Sequence, residues 1–239
     1  MNRHLSPVIE KMAKQSLDLL EKYFRLEVEG LEHVPARGAA LFIANHSGFM
    51  GLDAALLNHQ LQKHLGRKPV TMTHYLWFLS SISASMMEHF GYIEASTENA
   101  MKALKRHRQV ILFPEGEKGN FKPSSKAYRL QEFKRGFVRI ALMSQVPMIP
   151  TLILGAEEAN LNLKMFQFSK IWPGGVLPLP LNLLPFPVRW KIRFLPPIQL
   201  PFEPSAANDV ELVHELTEEI RGSMQKSLND ELQKRGVPF

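Results

Sequence analysis

Leu41-Phe42-Ile43-Ala44-Asn45-His46-Ser47-Gly48-Phe49-Met50-Gly51-Leu52-Asp53 contains a change of structure within thirteen residues. The apolar residues 41–44 predict a short strand that stops at the polar Asn45. Gly48 and Gly51 permit a turn. Residues 51–64 predict a helix, with Asp53 in its first turn, where a carboxylate is favoured. The order repeats downstream. A helix over 97–107, capped by Ser96 or Thr97, leads to a buried strand over 109–113 that Pro114 halts. A helix over 136–144 leads to a buried strand over 148–155. A further short strand over 26–30 precedes them, with a turn at 35–38. This alternation predicts an α/β fold: a single domain with a mostly parallel central sheet flanked by helices.

Outward from that core, the ends of the chain differ in character. Residues 7–24 predict an amphipathic helix with Pro7 at its first position. Val8, Met12, Leu19, Leu20, Tyr23 and Phe24 recur at helical spacing, with Glu10, Lys11, Lys14, Asp18 and Glu21 opposite. Such a helix packs on the domain or lies on a membrane surface. Residues 172–204 carry nine of the seventeen prolines, so 176–188 cannot be helical and predict an extended apolar loop. In residues 188–195, Val188, Trp190, Ile192 and Phe194 alternate with Arg189, Lys191 and Arg193, the pattern of a half-buried strand with a basic outer face. An apolar loop beside that face would suit an anionic bilayer. Residues 207–235 predict a polar, acid-rich surface helix. No linker separates domains, so residues 1–239 read as one unit: an N-terminal helix (1–25), a core (26–156), the proline-rich loop and basic strand (172–204) and the C-terminal helix.

The composition of the 239-residue chain, 45% hydrophobic and 22% charged, excludes a disordered protein. With no cysteine there is no disulfide framework, thiol nucleophile or thiolate metal site. The net charge of +6 is concentrated: residues 102–139 hold eleven Lys or Arg and three Glu, so the remainder is slightly acidic. Such a field suits phosphate-bearing molecules or anionic headgroups. No nucleic-acid motif accompanies it, and no nucleic-acid partner is expected. The N-terminus lacks the pattern of a secretory signal. The uncharged run 69–87 contains too many Ser, Thr and His to predict a membrane span.

Two loops carry candidate chemistry. Asn45-His46…Asp53 follows a strand end, the usual place for function in an open α/β sheet. His46 suits a general base, because its unperturbed pKa lies near neutrality, and Asp53 could fix its tautomer. An exposed histidine beside a helix N-terminus would give the same pattern. Phe113-Pro114-Glu115-Gly116 also follows a strand, with Lys118, Lys122, Lys126 and Arg129 after it. This turn could hold a phosphate, or be an ordinary polar turn.

Together these motifs resemble the glycerolipid acyltransferase family, of the 1-acylglycerol-3-phosphate type. The family's four motifs read here as Asn45-His46…Asp53, Gly91-Tyr92-Ile93, Phe113-Pro114-Glu115-Gly116 and Val146-Pro147-Met148-Ile149-Pro150, in order across residues 26–156. The chain is similar to a bacterial branch with a longer His-to-Asp spacing: six residues intervene instead of four. The slot where the second motif usually carries an arginine falls on Thr97 or Ser96. The third motif continues with Glu117-Lys118 in place of Thr-Arg. These departures bear on acceptor recognition more than on acyl transfer.

The resemblance implies transfer of a fatty acyl group from acyl-CoA or acyl-carrier protein to a hydroxyl of a lysophospholipid or glycerolipid. His46 and Asp53 would be catalytic. Asn45, Glu115, Gly116, Lys118, Lys122 and Arg129 would bind substrate, and backbone donors near Gly116 would face the oxyanion. The thioester is a co-substrate, and neither cofactor nor metal is expected. The expected site of action is the cytoplasmic side, peripherally on an anionic membrane surface, with residues 75–90 and 172–186 lining an acyl tunnel. A non-catalytic lipid-binding protein of the same fold, or an enzyme acting on a non-phosphate acceptor such as diacylglycerol, are the alternative readings.

Overall fold

The computed structural model describes residues 7–47, 51–167 and 176–236, with backbone alone at 164–167 and 176–178. Along the chain its main strands are β1 (Glu27–Glu29), β2 (Ala40–Ala44), β3 (Val70–Thr73), β4 (Tyr92–Glu94), β5 (Gln109–Leu112) and β6 (Met148–Leu154). A hairpin follows, β7 (Asn162–Gln167) with β8 (Val176–Pro180), and then β9 (Lys191–Phe194). The seven-stranded sheet runs β1-β9-β6-β2-β5-β3-β4. Every pairing in it is parallel except β6 with β9, so the expected α/β architecture is present.

Period-two alternation explains why the central strands are apolar on both sides. Ala40, Phe42 and Ala44 pack with Phe24, Leu56, Leu57, Leu61, Trp190 and Phe194 on one face. Leu41 and Ile43 pack on the other, with Phe137, Val138, Leu142, Met224 and Leu228. The first face is covered by α1 (Pro7–Tyr23) and α2 (Leu52–Leu65). The second is covered by α4 (Thr97–Lys105), α6 (Gly136–Ser144) and α8 (Val210–Arg235), while the one-turn helices α5 (Glu117–Asn120) and α7 (Ala156–Ala159) follow β5 and β6. Trp190 stacks on Phe24 with ring centroids 4.6 Å apart, fastening β9's approach to the end of α1. Ser96 is the N-cap of α4, its Oγ accepting from the Asn99 N–H at 3.1 Å.

The uncharged run 69–87, not expected to span a membrane, folds into β3, a 3₁₀ turn at Tyr75–Phe78 and most of α3 (Ser81–His89). Three expectations change. The proline-rich stretch begins as a strand: β8 pairs antiparallel with β7, with Pro178 opposite Met165 and Pro180 opposite Asn162. Prolines fit such an isolated two-stranded edge, where not every N–H must donate. Residues 172–175 lie outside the described residues.

The second change concerns α1. Its core side is Leu17 and Leu20, continuing to the buried Phe24, while Val8, Met12, Leu19 and Tyr23 point outward. The single apolar face expected there is therefore two faces. The third concerns β9, whose basic outer face is not open. Lys191 Nζ lies 2.8 Å from Glu29 and 2.9 Å from the buried Glu231, and Arg193 pairs with both acids. Neighbouring β1 and overlying α8 supply these carboxylates, a tertiary pairing that alternation within one strand cannot reveal.

Candidate active site

Strands β2 and β5 are adjacent and parallel, with Ile43 opposite Leu112. Their C-terminal ends, and so the two sequence motifs, meet at one edge of the sheet. Gly51, at φ +72°, takes the left-handed conformation that turns the chain into α2. That turn returns Asp53 to His46. Asp53 Oδ2 lies 2.6 Å from His46 Nδ1 and accepts the Ser47 N–H at 2.8 Å, while Oδ1 accepts the Ala54 N–H at 2.8 Å. Three donors thus converge on one fully buried carboxylate. An ionised carboxylate at Nδ1 places the proton there and leaves Nε2 as the basic nitrogen. The His46 ring stacks on Phe113, centroids 4.3 Å apart, and its side chain is 16% exposed. Burial and the charge of Asp53 push the phenol of Tyr92, from the second motif, well above its ordinary range, so it stays protonated.

Glu115 also belongs to the site, as a support. Its Oε1 accepts the His46 N–H at 3.0 Å and its Oε2 accepts the Gln131 N–H at 2.7 Å. One buried carboxylate thereby fixes both the histidine's backbone and the loop after the Pro-Glu-Gly turn. Lys122, also buried, lies 2.8 Å from Glu157 and 3.7 Å from Glu115. Burial pushes Glu157 up to about 7 against the opposing pull of Lys122. Glu157 Oε2 accepts the Tyr128 N–H at 2.7 Å, so the two acids hold the 128–131 segment at two points. Glu157 was not singled out from the sequence. Its signal is weak: one of a Glu-Glu pair within a few residues of the C-terminal end of a buried strand, the region that Asn45-His46 and Pro114-Glu115 also occupy.

The other expected substrate-binding residues divide. Asn45 turns into the sheet, donating from Nδ2 to Ile153 O at 2.9 Å and accepting the Ile153 N–H at 2.7 Å. It extends the β2–β6 pairing and positions His46 from behind. Lys122 is likewise enclosed, a buried counterion. Lys118 is exposed, 3.3 Å from Glu132. Arg129 is exposed, and its carbonyl accepts from Gln131 Nε2 at 2.8 Å. The Gly116 N–H closes the turn onto Phe113 O at 3.0 Å and so does not face an oxyanion. Gly48, Phe49 and Met50 lie outside the described residues.

Beside Ser47 is a polar cavity of about 10 Å³, lined by Asn120, Lys122, Glu157 and Asn162 among others, room for about one water. The side chains expected to line an acyl tunnel lie on the surface: Tyr75, Trp77, Leu79, Ile82 and Met86, and farther on Leu181, Leu183 and Leu184, are all exposed. Among the described residues, Asp18, Glu21 and His59 have the spacing of a metal site. They lie between α1 and α2, where Lys63 already pairs with Glu21 at 2.8 Å.

The family model described as Acyltransferase matches residues 25–154. An uncharacterised protein of Mycobacterium tuberculosis is 32% identical over 225 residues, 87% of this chain and 62% of the relative. A 1-acyl-sn-glycerol-3-phosphate acyltransferase of Limnanthes alba is 25% identical over 182 residues, 72% of this chain and 54% of the relative. The chain thus spans less than two thirds of the length of these relatives. The crystal structure of the 1-acyl-sn-glycerophosphate acyltransferase PlsC of Thermotoga maritima superposes with a TM-score of 0.60 at 18% identity, covering 98% of this chain and 86% of that one, a likeness of fold. With its four motifs inside the matched region, the chain belongs to the acyltransferase family.

Proposed function

We propose that this chain moves an acyl group from a thioester, acyl-CoA or acyl-carrier protein, to a hydroxyl of a lysophospholipid or other glycerolipid. The observation that carries the reading is the 2.6 Å contact of His46 Nδ1 with the buried carboxylate of Asp53, which among the described residues has no other ion-pair partner. His46 Nε2 takes the proton of the acceptor hydroxyl as its oxygen attacks the thioester carbon. The C–O bond forms, the C–S bond breaks, and the proton passes from His46 to the leaving thiolate. Asp53 holds the ring and stabilises the imidazolium in between. The reaction requires no oxidant, and no step calls for a metal or a resident cofactor.

The same reading places the reaction at a bilayer. Exposed large apolar side chains concentrate on three segments: Met12, Leu19 and Tyr23 of α1; Trp77, Leu79 and Ile82 around α3; and Leu181, Leu183 and Leu184 of the proline-rich loop. Contacts join them. Tyr23 Oη donates to Pro185 O at 2.7 Å, and Glu10 of α1 lies 3.4 Å from His89 of α3. Apolar patches of this extent suit insertion among lipid headgroups. Among the described residues no helix is long and apolar enough to cross a membrane.

The test follows free thiol released from acyl-CoA in the presence of a panel of lysophospholipids and monoacylglycerols. Wild type should turn over at least one acceptor, and His46→Ala should lower kcat by about 10²- to 10⁴-fold, the usual cost of losing a general base. Wild-type turnover in the His46→Ala variant would refute the assignment.

A further inference from the structure

Behind the His46 loop, two buried carboxylates share one buried ammonium. Lys122 Nζ lies 2.8 Å from Glu157 Oε1 and 3.7 Å from Glu115 Oε2. Among the described residues neither acid has another cation within ion-pairing distance. With both acids ionised, the cluster holds one negative charge in excess, out of water. Two carboxylates that share such a site do not ionise equally, and one keeps its proton to higher pH.

Hydrogen bonds decide which. Glu115 accepts two backbone N–H groups, from His46 at 3.0 Å and from Gln131 at 2.7 Å, whereas Glu157 accepts one, from Tyr128 at 2.7 Å. Donors favour the charged form, so the proton falls to Glu157. The other groups that face Glu157 do not reverse this. Glu158, its neighbour on α7, is paired with Arg235 of α8 at 2.7 Å. The Tyr128 phenol stays protonated, raised by burial and then by the charge of Glu158. Burial, with a smaller push from the charge of Glu115, brings Glu157 up to about 7 against the pull of Lys122.

The place of Lys122 matters to His46. An ionised Glu157 keeps the ammonium on its own side of the cluster. Once Glu157 is protonated, Glu115 is the carboxylate left to attract Lys122. The ammonium then competes with the His46 and Gln131 N–H groups for the same two oxygens. Glu157 also lines the small cavity that Ser47 lines, and the Ser47 N–H is held by the Asp53 oxygen that orients the His46 ring. A change at Glu157 thus reaches the histidine from two directions.

We propose that Glu157 is a positioning residue for His46, and that its protonation lowers the rate of acyl transfer by releasing Lys122 toward Glu115. This rests on the acyl-transfer reading above and adds to it a second proton that the reaction must lose.

The experiment compares wild type with Glu157→Gln, which keeps the size of the side chain and an acceptor for Tyr128 but carries no charge. Turnover of acyl-CoA is followed from pH 5 to 9. In wild type the acid limb of kcat/KM should require two ionisations, a neutral His46 and a charged Glu157. In Glu157→Gln it should require one. Well above neutrality the variant should lose about tenfold or more in kcat, the scale of a displaced catalytic group, with KM for acyl-CoA little changed, since Glu157 touches no substrate in this account. A second measurement needs no turnover: the ring resonances of His46, followed by NMR over the same range, should titrate with two inflections in wild type and one in Glu157→Gln. The same number of ionisations in both proteins, by either measurement, would overturn the assignment. A wild type that turns over no thioester would refute the acyl-transfer reading instead, and the histidine titration alone would then decide whether Glu157 acts on His46.

Discussion

The two terminal helices lie on opposite faces of the same sheet and present opposite kinds of surface. Helix α8 buries Val213, Thr217, Ile220, Met224, Leu228 and Glu231, at steps of three or four. Outward it shows His214, Glu215, Glu219, Lys226, Asp230 and Lys234. Helix α1 has no fully buried residue. It rests on Leu17 and Leu20, and outward it shows Met12, Leu19 and Tyr23 on the stripe that begins at Val8, flanked by the exposed Lys11 and Lys22. Both sequences are amphipathic in the sense that apolar residues recur at helical spacing. In α8 that spacing faces the core. In α1 much of it faces out, with lysines beside it, the distribution of a helix that meets a headgroup region. An apolar stripe at helical spacing is therefore the same signal in both sequences, and only the fold reveals which stripe faces the protein's own core.

If α8 is a structural helix, its core positions should be costly to truncate. Leu228 is fully buried among Met224, Phe137 and their neighbours. Leu228→Ala should cost about 2–5 kcal/mol, a fall in Tm of roughly 4–20 °C for a chain of this size. Retention of the folded variant on anionic vesicles should not change. A loss under about 1 kcal/mol by denaturant titration would erase the distinction from α1.

The reciprocal change on α1 should reverse the pattern. Met12→Glu with Leu19→Glu places two charges on the exposed stripe and removes no core contact. Stability should move by less than about 1 kcal/mol. Binding to anionic vesicles, by co-sedimentation, should fall about 10²-fold, since a fully inserted Met or Leu contributes about 1.5–3 kcal/mol. Unchanged vesicle binding would remove the bilayer from the account of α1 and leave its apolar surface unexplained.

Much of the fold was legible because its signals are local. The apolar runs at residues 40–44, 109–112 and 148–154, the stops at Asn45 and Pro114, and the helix start at Asp53 all depend on neighbours in sequence. The His46–Asp53 contact was legible for the same reason: the pair is seven residues apart, across one turn. What was hidden is long-range. That Lys191 and Arg193 are neutralised by Glu29 and Glu231, and that Lys122 is enclosed by Glu115 and Glu157, depend on which elements become neighbours. A charge's sign is visible in a sequence, but its compensation is not. Asn45 shows the same limit, since a polar residue at a strand end can face a substrate or complete a sheet, and Ile153 decides it.

The smallest effect tests the helices through their acids. Glu231 of α8 is held below its ordinary 4.5: burial alone would raise it, but the hydrogen bond from Lys191 and the charges of Lys191 and Arg193 prevail. Because the folded value lies under the unfolded one, the unfolded chain takes up the proton first as the pH falls. The stability from this cluster is complete above about 4.5 and is lost as the pH drops through the folded value. Glu231→Gln should therefore be less stable than wild type near pH 7, with the gap closing toward pH 3. Glu10 of α1 is lowered too, by the hydrogen bond and then the charge of Lys68. Its side chain is 44% exposed, whereas that of Glu231 is 3% exposed. Raising the salt to about 0.5 M should shrink the gap between wild type and Glu10→Gln and leave most of the Glu231→Gln gap intact, because screening acts on exposed pairs. Denaturant titrations at both pH values and both salt concentrations measure this. Equal salt sensitivity of the two gaps would mean that the acids of α1 and α8 sit in equivalent surroundings, and the contrast between a helix built into the protein and one built onto its surface would not extend to their charges.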